Sequence, residues 1–197
     1  MKPEEEPTVS RPRASNGQED EELVLKAREG DGEAFGVLIE RHQKSVAGFL
    51  LTLLHDMDAA EDAAQQAFLQ AFQHLGRFES RASFKTWVSR IALNVAKSRL
   101  RWAGLRRWLP LGADDGDRGW EERLRPIANG PDEIKAVERK LELERAMAKL
   151  SAREKQVAAL RLEGYSLGEA AEVLGISEGT VKSTLFEAVQ KMRRQLS

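Results

Sequence analysis

The stretch Ser83–Arg101, SFKTWVSRIALNVAKSRLR, constrains this chain more than any other. Wound as a helix, at about 100° per residue, it splits into two stripes. Phe84, Val88, Ile91 and Val95 follow the i, i+4, i+7 rule and form an apolar stripe that needs a core. Trp87, Arg90, Asn94, Lys97 and Arg101 run beside it, and none of the five is a plain core residue. No Asp or Glu occurs from Arg81 to Ala113, while Arg81, Lys85, Arg90, Lys97, Arg99, Arg101, Arg106 and Arg107 supply positive charge. Trp87, Trp102 and Trp108 are interleaved with them. Guanidinium and ammonium groups neutralise phosphates, and indole faces stack on unpaired bases. One reading is a helix with one side for a core and the other for nucleic acid. A solvated basic face with aromatics at helix edges is the other, and this stretch alone leaves both open.

Composition narrows the setting. The chain has 197 residues, enough for one domain or two small ones, and helix formers dominate its 41% hydrophobic and 32% charged content. A mostly α-helical protein is expected. There is no cysteine, so disulfides and thiol nucleophiles are excluded and a zinc site is not expected. No apolar run approaches the roughly 20 residues that span a bilayer, and the N-terminal MKPEEEPTVSRPRASNGQED is no signal peptide. The expected location is therefore cytoplasmic, without membrane insertion. Net charge is only −1, so the basic charge is local and suits contact with DNA at patches.

Taken in order, residues 1–19 read as a disordered tail, polar and without helical period. From Asp20 the chain reads as helical. A short helix stops at Gly30, and Asp31 can N-cap the next, whose apolar face runs Phe35, Leu38, Ile39, Val46, Phe49, Leu50 and Leu53. Asp58-Ala59-Ala60-Glu61 reads as an acidic capping box opening a third helix through Ala60, Ala64, Ala67, Phe68, Ala71, Phe72 and Leu75. Its alanines permit close helix–helix approach. Asp62, Gln65, Gln66 and Gln70 decorate its other side, as solvent-facing polarity or as a docking face. These helices form a first domain, residues 20–102.

Between residues 103 and 130 the pattern fails, punctuated by Pro110, Gly112, Gly116, Gly119, Pro126 and Gly130, and turns acidic at Asp114, Asp115 and Asp117. It reads as a linker, and Trp108, Leu109 and Trp120 suggest that it docks on something. Residues 131–197 form a second helical domain. Ile134, Val137, Leu141, Met147 and Leu150 mark one helix, and Ser151–Glu154 and Ser166–Glu169 are capping boxes for the next two. Gly175-Ile176-Ser177 is a tight turn with Ser177 capping the last helix. A short helix, a Gly-containing turn and a second helix make a helix-turn-helix. On the last helix Val181, Leu185, Ala188, Met192 and Leu196 fall inward, while Lys182, Ser183, Phe186, Gln190 and Arg193 face a major groove. The fold class is all-α: two small helical domains on a flexible linker.

The strings DAAEDAAQQAFLQAF, RFESRASFKTWVSRIALNVAKSRLR and LSAREKQVAALRLEGYSLGEAAEVLGISEGTVKSTLFEAVQKM together resemble a bacterial RNA polymerase sigma factor. More closely, they resemble the small extracytoplasmic-function (ECF) group, which keeps only the second and fourth sigma domains. The resemblance implies a sigma factor that binds core RNA polymerase and directs promoter recognition, local DNA melting and transcription initiation. It implies that Asp62, Gln65, Gln66 and Phe68 bind the clamp helices of the largest polymerase subunit. Arg81, Lys85, Trp87, Arg90, Asn94, Lys97 and Arg101 would engage the −10 element, with Asn94 at a flipped non-template base. Glu178, Thr180, Lys182, Ser183, Phe186 and Gln190 would read the −35 element as duplex. The implied partners are the largest and second-largest polymerase subunits, promoter DNA and an anti-sigma factor. Gln66, Ser98, Thr184 and Glu187 depart from the family pattern, and the last two lower the phosphate attraction of the reading helix.

Two rivals remain at this point. A free-standing helix-turn-helix regulator would bind DNA without polymerase, but nothing reads as a dimer seam or sensor domain. A nucleic-acid enzyme would need metal carboxylates, an activated nucleophile or a phosphate loop. His42, His55 and His74 read as isolated helix-edge residues, so no catalytic residue, metal site or cofactor is expected.

Overall fold

The computed structural model describes residues 15–106 and 146–196, and all regular elements among them are helical. Four helices come first: α1, Ser15–Arg28; α2, Gly32–Leu54; α3, Met57–Gln73; and α4, Phe84–Arg106, with a 3-10 turn Leu75–Arg77 before α4. Three follow: α5, Ala152–Leu162; α6, Leu167–Leu174; and α7, Glu178–Leu196. Most of the linker, with Trp108, Trp120 and the Asp114–Asp117 cluster, lies outside the described residues, as do residues 1–14 and the expected helix through Ile134 and Leu141. No helix among the described residues is long and apolar enough to cross a membrane.

Local chemistry sets most boundaries. Gly30, at φ +100°, ends the turn after α1, and the Asp31 carboxylate accepts from Ala34 N at 3.0 Å. His55 closes α2 in the left-handed region, φ 57°. That twist makes Asp56 the first residue free to extend, and its carboxylate accepts from Ala59 N at 2.8 Å. Asp56 therefore caps α3, correcting the expected Asp58–Glu61 box; Asp58 falls in the first turn, where its charge suits the positive helix end. The capping boxes at Ser151/Glu154 and Ser166/Glu169 form as expected, and each such cap contributes about 1 kcal/mol.

Tertiary contact anchors the first helix. Helix α1 begins at Ser15, not Asp20, and Asp20 is buried. Its carboxylate meets His42 Nε2 at 2.7 Å and Arg41 Nη1 at 3.1 Å, pinning α1 to α2. His42 is thus a paired, half-buried residue rather than an isolated one.

Ala60, Ala63, Ala64, Ala67 and Ala71 are all buried, so α3 lies close against α2 and α4. Phe84 sits at the centre of an aromatic group, edge-on to Phe35 and Phe78 with ring centroids 6.1 Å away in each case. Phe72, expected inside, is 47% exposed and packs its ring against Phe35, at 5.0 Å. The same core continues into the second group of helices through Val157, Leu160, Tyr165, Ala171, Val173 and Val181. Met147, Leu150, Ala158 and Ala188 form a smaller, separate cluster.

Candidate nucleic-acid interface

Helix α4 begins where Ser83 Oγ accepts from Thr86 N at 3.1 Å. Phe84, Val88, Ala92, Leu93, Val95 and Ala96 then fix its inner side in the core. Ile91 is only partly covered. On the flank Arg90, Asn94, Lys97 and Arg101 are all exposed, spaced at one turn each. The expected division of the helix into a core side and an open cationic side is present. Arg101 donates to Ser98 Oγ at 3.4 Å, and Arg81 pairs with Glu79 at 2.9 Å on the surface, a pair too solvated to hold it.

Two members of the expected set differ in setting. Trp87 is half-buried, its ring 5.1 Å from Phe78 and 6.0 Å from Phe84, so only part of the indole is available for stacking. Lys85 points away from solvent: its Nζ lies 3.9 Å from the Tyr165 ring centroid and donates to Glu163 O at 3.4 Å. Burial lowers its ammonium below the ordinary lysine range, against the Glu169 and Glu163 carboxylates, which raise it.

On α3, Asp62, Gln65 and Gln66 are exposed, but Phe68 is only 4% exposed. Phe68 contributes an edge to a groove of about 760 Å³ between α2 and α3, with Phe35, Ile39, Gln65, Leu69 and Phe72. Leu69, at 58% exposed, joins Phe72 as a large apolar side chain that this face offers, and sequence periodicity gives Leu69 no weight. Arg99 of α4 reaches across to Gln66 Oε1 at 3.5 Å and Asp62 at 3.9 Å, joining the two surfaces.

The helix-turn-helix forms at α6 and α7. Gly175 takes φ +66°, which glycine adopts without strain, and Ile176 N bonds back to Ala171 O at 3.0 Å. Ser177 Oγ accepts from Thr180 N at 3.1 Å, capping α7. Val181 and Ala188 are buried, while Glu178, Thr180, Lys182, Ser183 and Phe186 face outward, Phe186 at 65% exposed. Gln190 is half-buried, so it sits at the edge of the reading face. From α7, Lys191 holds the buried Glu154 carboxylate at 2.7 and 2.9 Å.

The sequence left one contact unread. Tyr165, the chain's single tyrosine, is fully buried, and its hydroxyl lies 2.5 Å from Ser89 Oγ of α4. Burial pushes its phenol above the usual range, with the Ser89 hydrogen bond opposing. Beside it a crevice of about 530 Å³ brings Arg81, Trp87 and Arg90 against Glu172, Gly175 and Glu178.

The family models Sigma-70 region 2 and Sigma-70, region 4, match residues 38–105 and 140–192. The chain is 31% identical over 190 residues to the RNA polymerase sigma-H factor of Pseudomonas aeruginosa, covering 91% of this chain and 94% of that protein. It is 32% identical over 178 residues to the ECF RNA polymerase sigma factor SigM of Mycobacterium tuberculosis, covering 90% and 84%. The solved structure of CnrH in complex with the cytosolic domain of CnrY superposes with a TM-score of 0.66 at 26% identity, covering 90% and 97%. Sigma factor RpoE of Bartonella quintana, solved with the anti-sigma factor NepR, shares the fold, with a TM-score of 0.62 at 22% identity, covering 82% and 96%.

Proposed function

The chain belongs to the ECF RNA polymerase sigma factors, non-enzymatic subunits that direct polymerase to promoters, and on that premise we propose how its helices divide the work. The flank of α4 engages the −10 element as it opens. Asn94 offers donor and acceptor to an extruded base, and Arg90, Lys97 and Arg101 neutralise the adjoining phosphates. Separating base pairs costs a few kcal/mol, and edge contacts with partial stacking on Trp87 offset part of that. Arg81 extends the cationic track at the start of α4. Helix α7 reads the −35 element as duplex through Lys182, Ser183 and Phe186, with Glu178 and Thr180 at its N-terminal end and Gln190 at the rim. Asp62, Gln65, Gln66 and the Leu69–Phe68 edge of α3 dock on core polymerase.

Residues 20–102 act as the polymerase and −10 module, 131–197 as the −35 module, and 103–130 as the connector between them, in a cytoplasmic protein. Because CnrH was solved with the cytosolic domain of CnrY, and RpoE with the anti-sigma factor NepR, we extend to this chain control by a second protein of the anti-sigma kind. The observation that carries the reading is that Asn94, Lys97 and Arg101 stand exposed on a helix whose opposite side is locked in the core. Transcription in vitro with core polymerase on a genomic library, with 5′ ends sequenced, tests it. Start sites sharing two spaced elements are expected; start sites with no shared upstream element would remove it.

A further inference from the structure

We propose that the free chain is self-inhibited: the second helical group clasps the N-terminal half of α4 through a latch of Tyr165, Ser89, Lys85 and the Glu163 main-chain carbonyl, which accepts from Lys85. The inference rests on α4 being the −10 reading helix. In this arrangement Trp87 and Arg90 line a crevice whose other wall is Glu172, Gly175 and Glu178 of the helix-turn-helix. A Cβ on Gly175 would stand 3.9 Å from Arg90 Nη2, so the turn lies against one edge of a guanidinium whose side chain is otherwise exposed. A helix-turn-helix on duplex lays its first helix across the phosphate backbone. Here α6 packs on α4 instead. A DNA strand and α6 therefore compete for one surface, and Glu172 and Glu178 place carboxylates on the crevice wall that faces Trp87 and Arg90.

The latch is built to release. At its centre is a buried hydroxyl pair, Tyr165 with Ser89 at 2.5 Å, flanked by the half-buried Lys85 ammonium over the tyrosine ring. Gly48 of α2 leaves room for the Glu163 carboxylate, in space that a Cβ would occupy. Burial raises the Glu163 carboxyl above its ordinary range, against Lys85 and Lys44, and lowers Lys85. Both ions regain hydration when the contact parts. Opening thus exchanges desolvated charges for solvated ones, and DNA that needs the surface under α6 draws the chain toward the open form.

The chain has no cysteine, so Gly48→Cys with Glu163→Cys gives the full-length protein two thiols and no others. The free protein, treated with a short bis-maleimide carrying a cleavable disulfide, should cross-link within the chain in high yield. After quenching and addition of core polymerase, the cross-linked chain should initiate at least tenfold less than the untreated double variant, and cleaving the linker should restore it. Failure to cross-link, or initiation by the cross-linked chain within twofold of the untreated variant, would overturn the proposal. Tyr165→Phe provides an independent arm, since Ser89 keeps its 2.7 Å bond to Lys85 O and the ring stays buried. It should raise initiation at limiting sigma by about fivefold, the weight of one buried hydrogen bond. Unchanged initiation by Tyr165→Phe would also overturn the latch, including where cleavage does not restore the cross-linked form. Loss of start-site selection in the uncross-linked wild type would instead strike the promoter reading itself.

Discussion

Helices α4 and α7 are both assigned to DNA, yet they are held in different ways. The inner side of α4 is sunk in a core shared with α2, α3 and α6, with six buried apolar side chains plus buried Thr86 and Ser89. Helix α7 is held by fewer anchors, Val181 and Ala188 with partial help from Leu185 and Met192, and by the Lys191–Glu154 ion pair. The difference suits the work proposed for each. A helix that captures a base from an opening duplex must not yield while strands separate. A helix that reads an intact groove meets little resisting force.

Phe84→Ala presses hardest on this comparison. It removes the centre of the aromatic group and should cost about 3–5 kcal/mol, read as an early thermal transition with loss of promoter opening. A smaller loss than from Val181→Ala in the helix-turn-helix would reverse the ranking of the two platforms.

Lys191→Ala should have an intermediate effect, about 1–3 kcal/mol, because it strands a carboxylate that is 3% exposed. Lys191, with the Ser151 cap, holds the Glu154 carboxyl below its ordinary 4.5 even though burial works the other way. A depressed folded value means that this contribution is present above pH 4.5 and lost as pH falls below it through the folded value. Denaturant unfolding between neutral and acid pH should therefore show a steeper acid loss in the wild type than in Lys191→Ala. Parallel profiles would remove the ion pair from the account. Lys182→Ala is the mildest: stability within about 0.5 kcal/mol of wild type, and a holoenzyme salt slope on the −35 element lower by about 1. An unchanged slope would move Lys182 off the phosphates.

Features governed by neighbours in the chain were legible in the sequence. The caps at Asp31, Ser151, Ser166 and Ser177 and the two stripes of α4 depend on spacings of three or four residues; the caps form as expected, and the stripes do so except that Ile91 and Trp87 are each half-buried. The start of α3 is not legible there because two acids lie within one turn, and the left-handed His55 selects Asp56. Contacts between distant positions left no local trace. Asp20 with His42 and Ser89 with Tyr165 are separated by 22 and 76 residues, and no periodicity reports either pairing. Phe68 and Phe72 both fit the apolar stripe of α3, yet Phe68 is buried and Phe72 is 47% exposed at the groove, a difference that the spacing alone does not carry.

The claim on which the account turns is that the exposed flank of α4 acts on unwound DNA rather than on the fold. Permanganate reactivity of promoter thymines, measured beside core-polymerase affinity for the same Asn94→Ala protein, tests it most directly. The expected result is at least tenfold weaker reactivity at the −10 element with core affinity and melting temperature unchanged. Full reactivity, or a matching loss of core affinity, would contradict it.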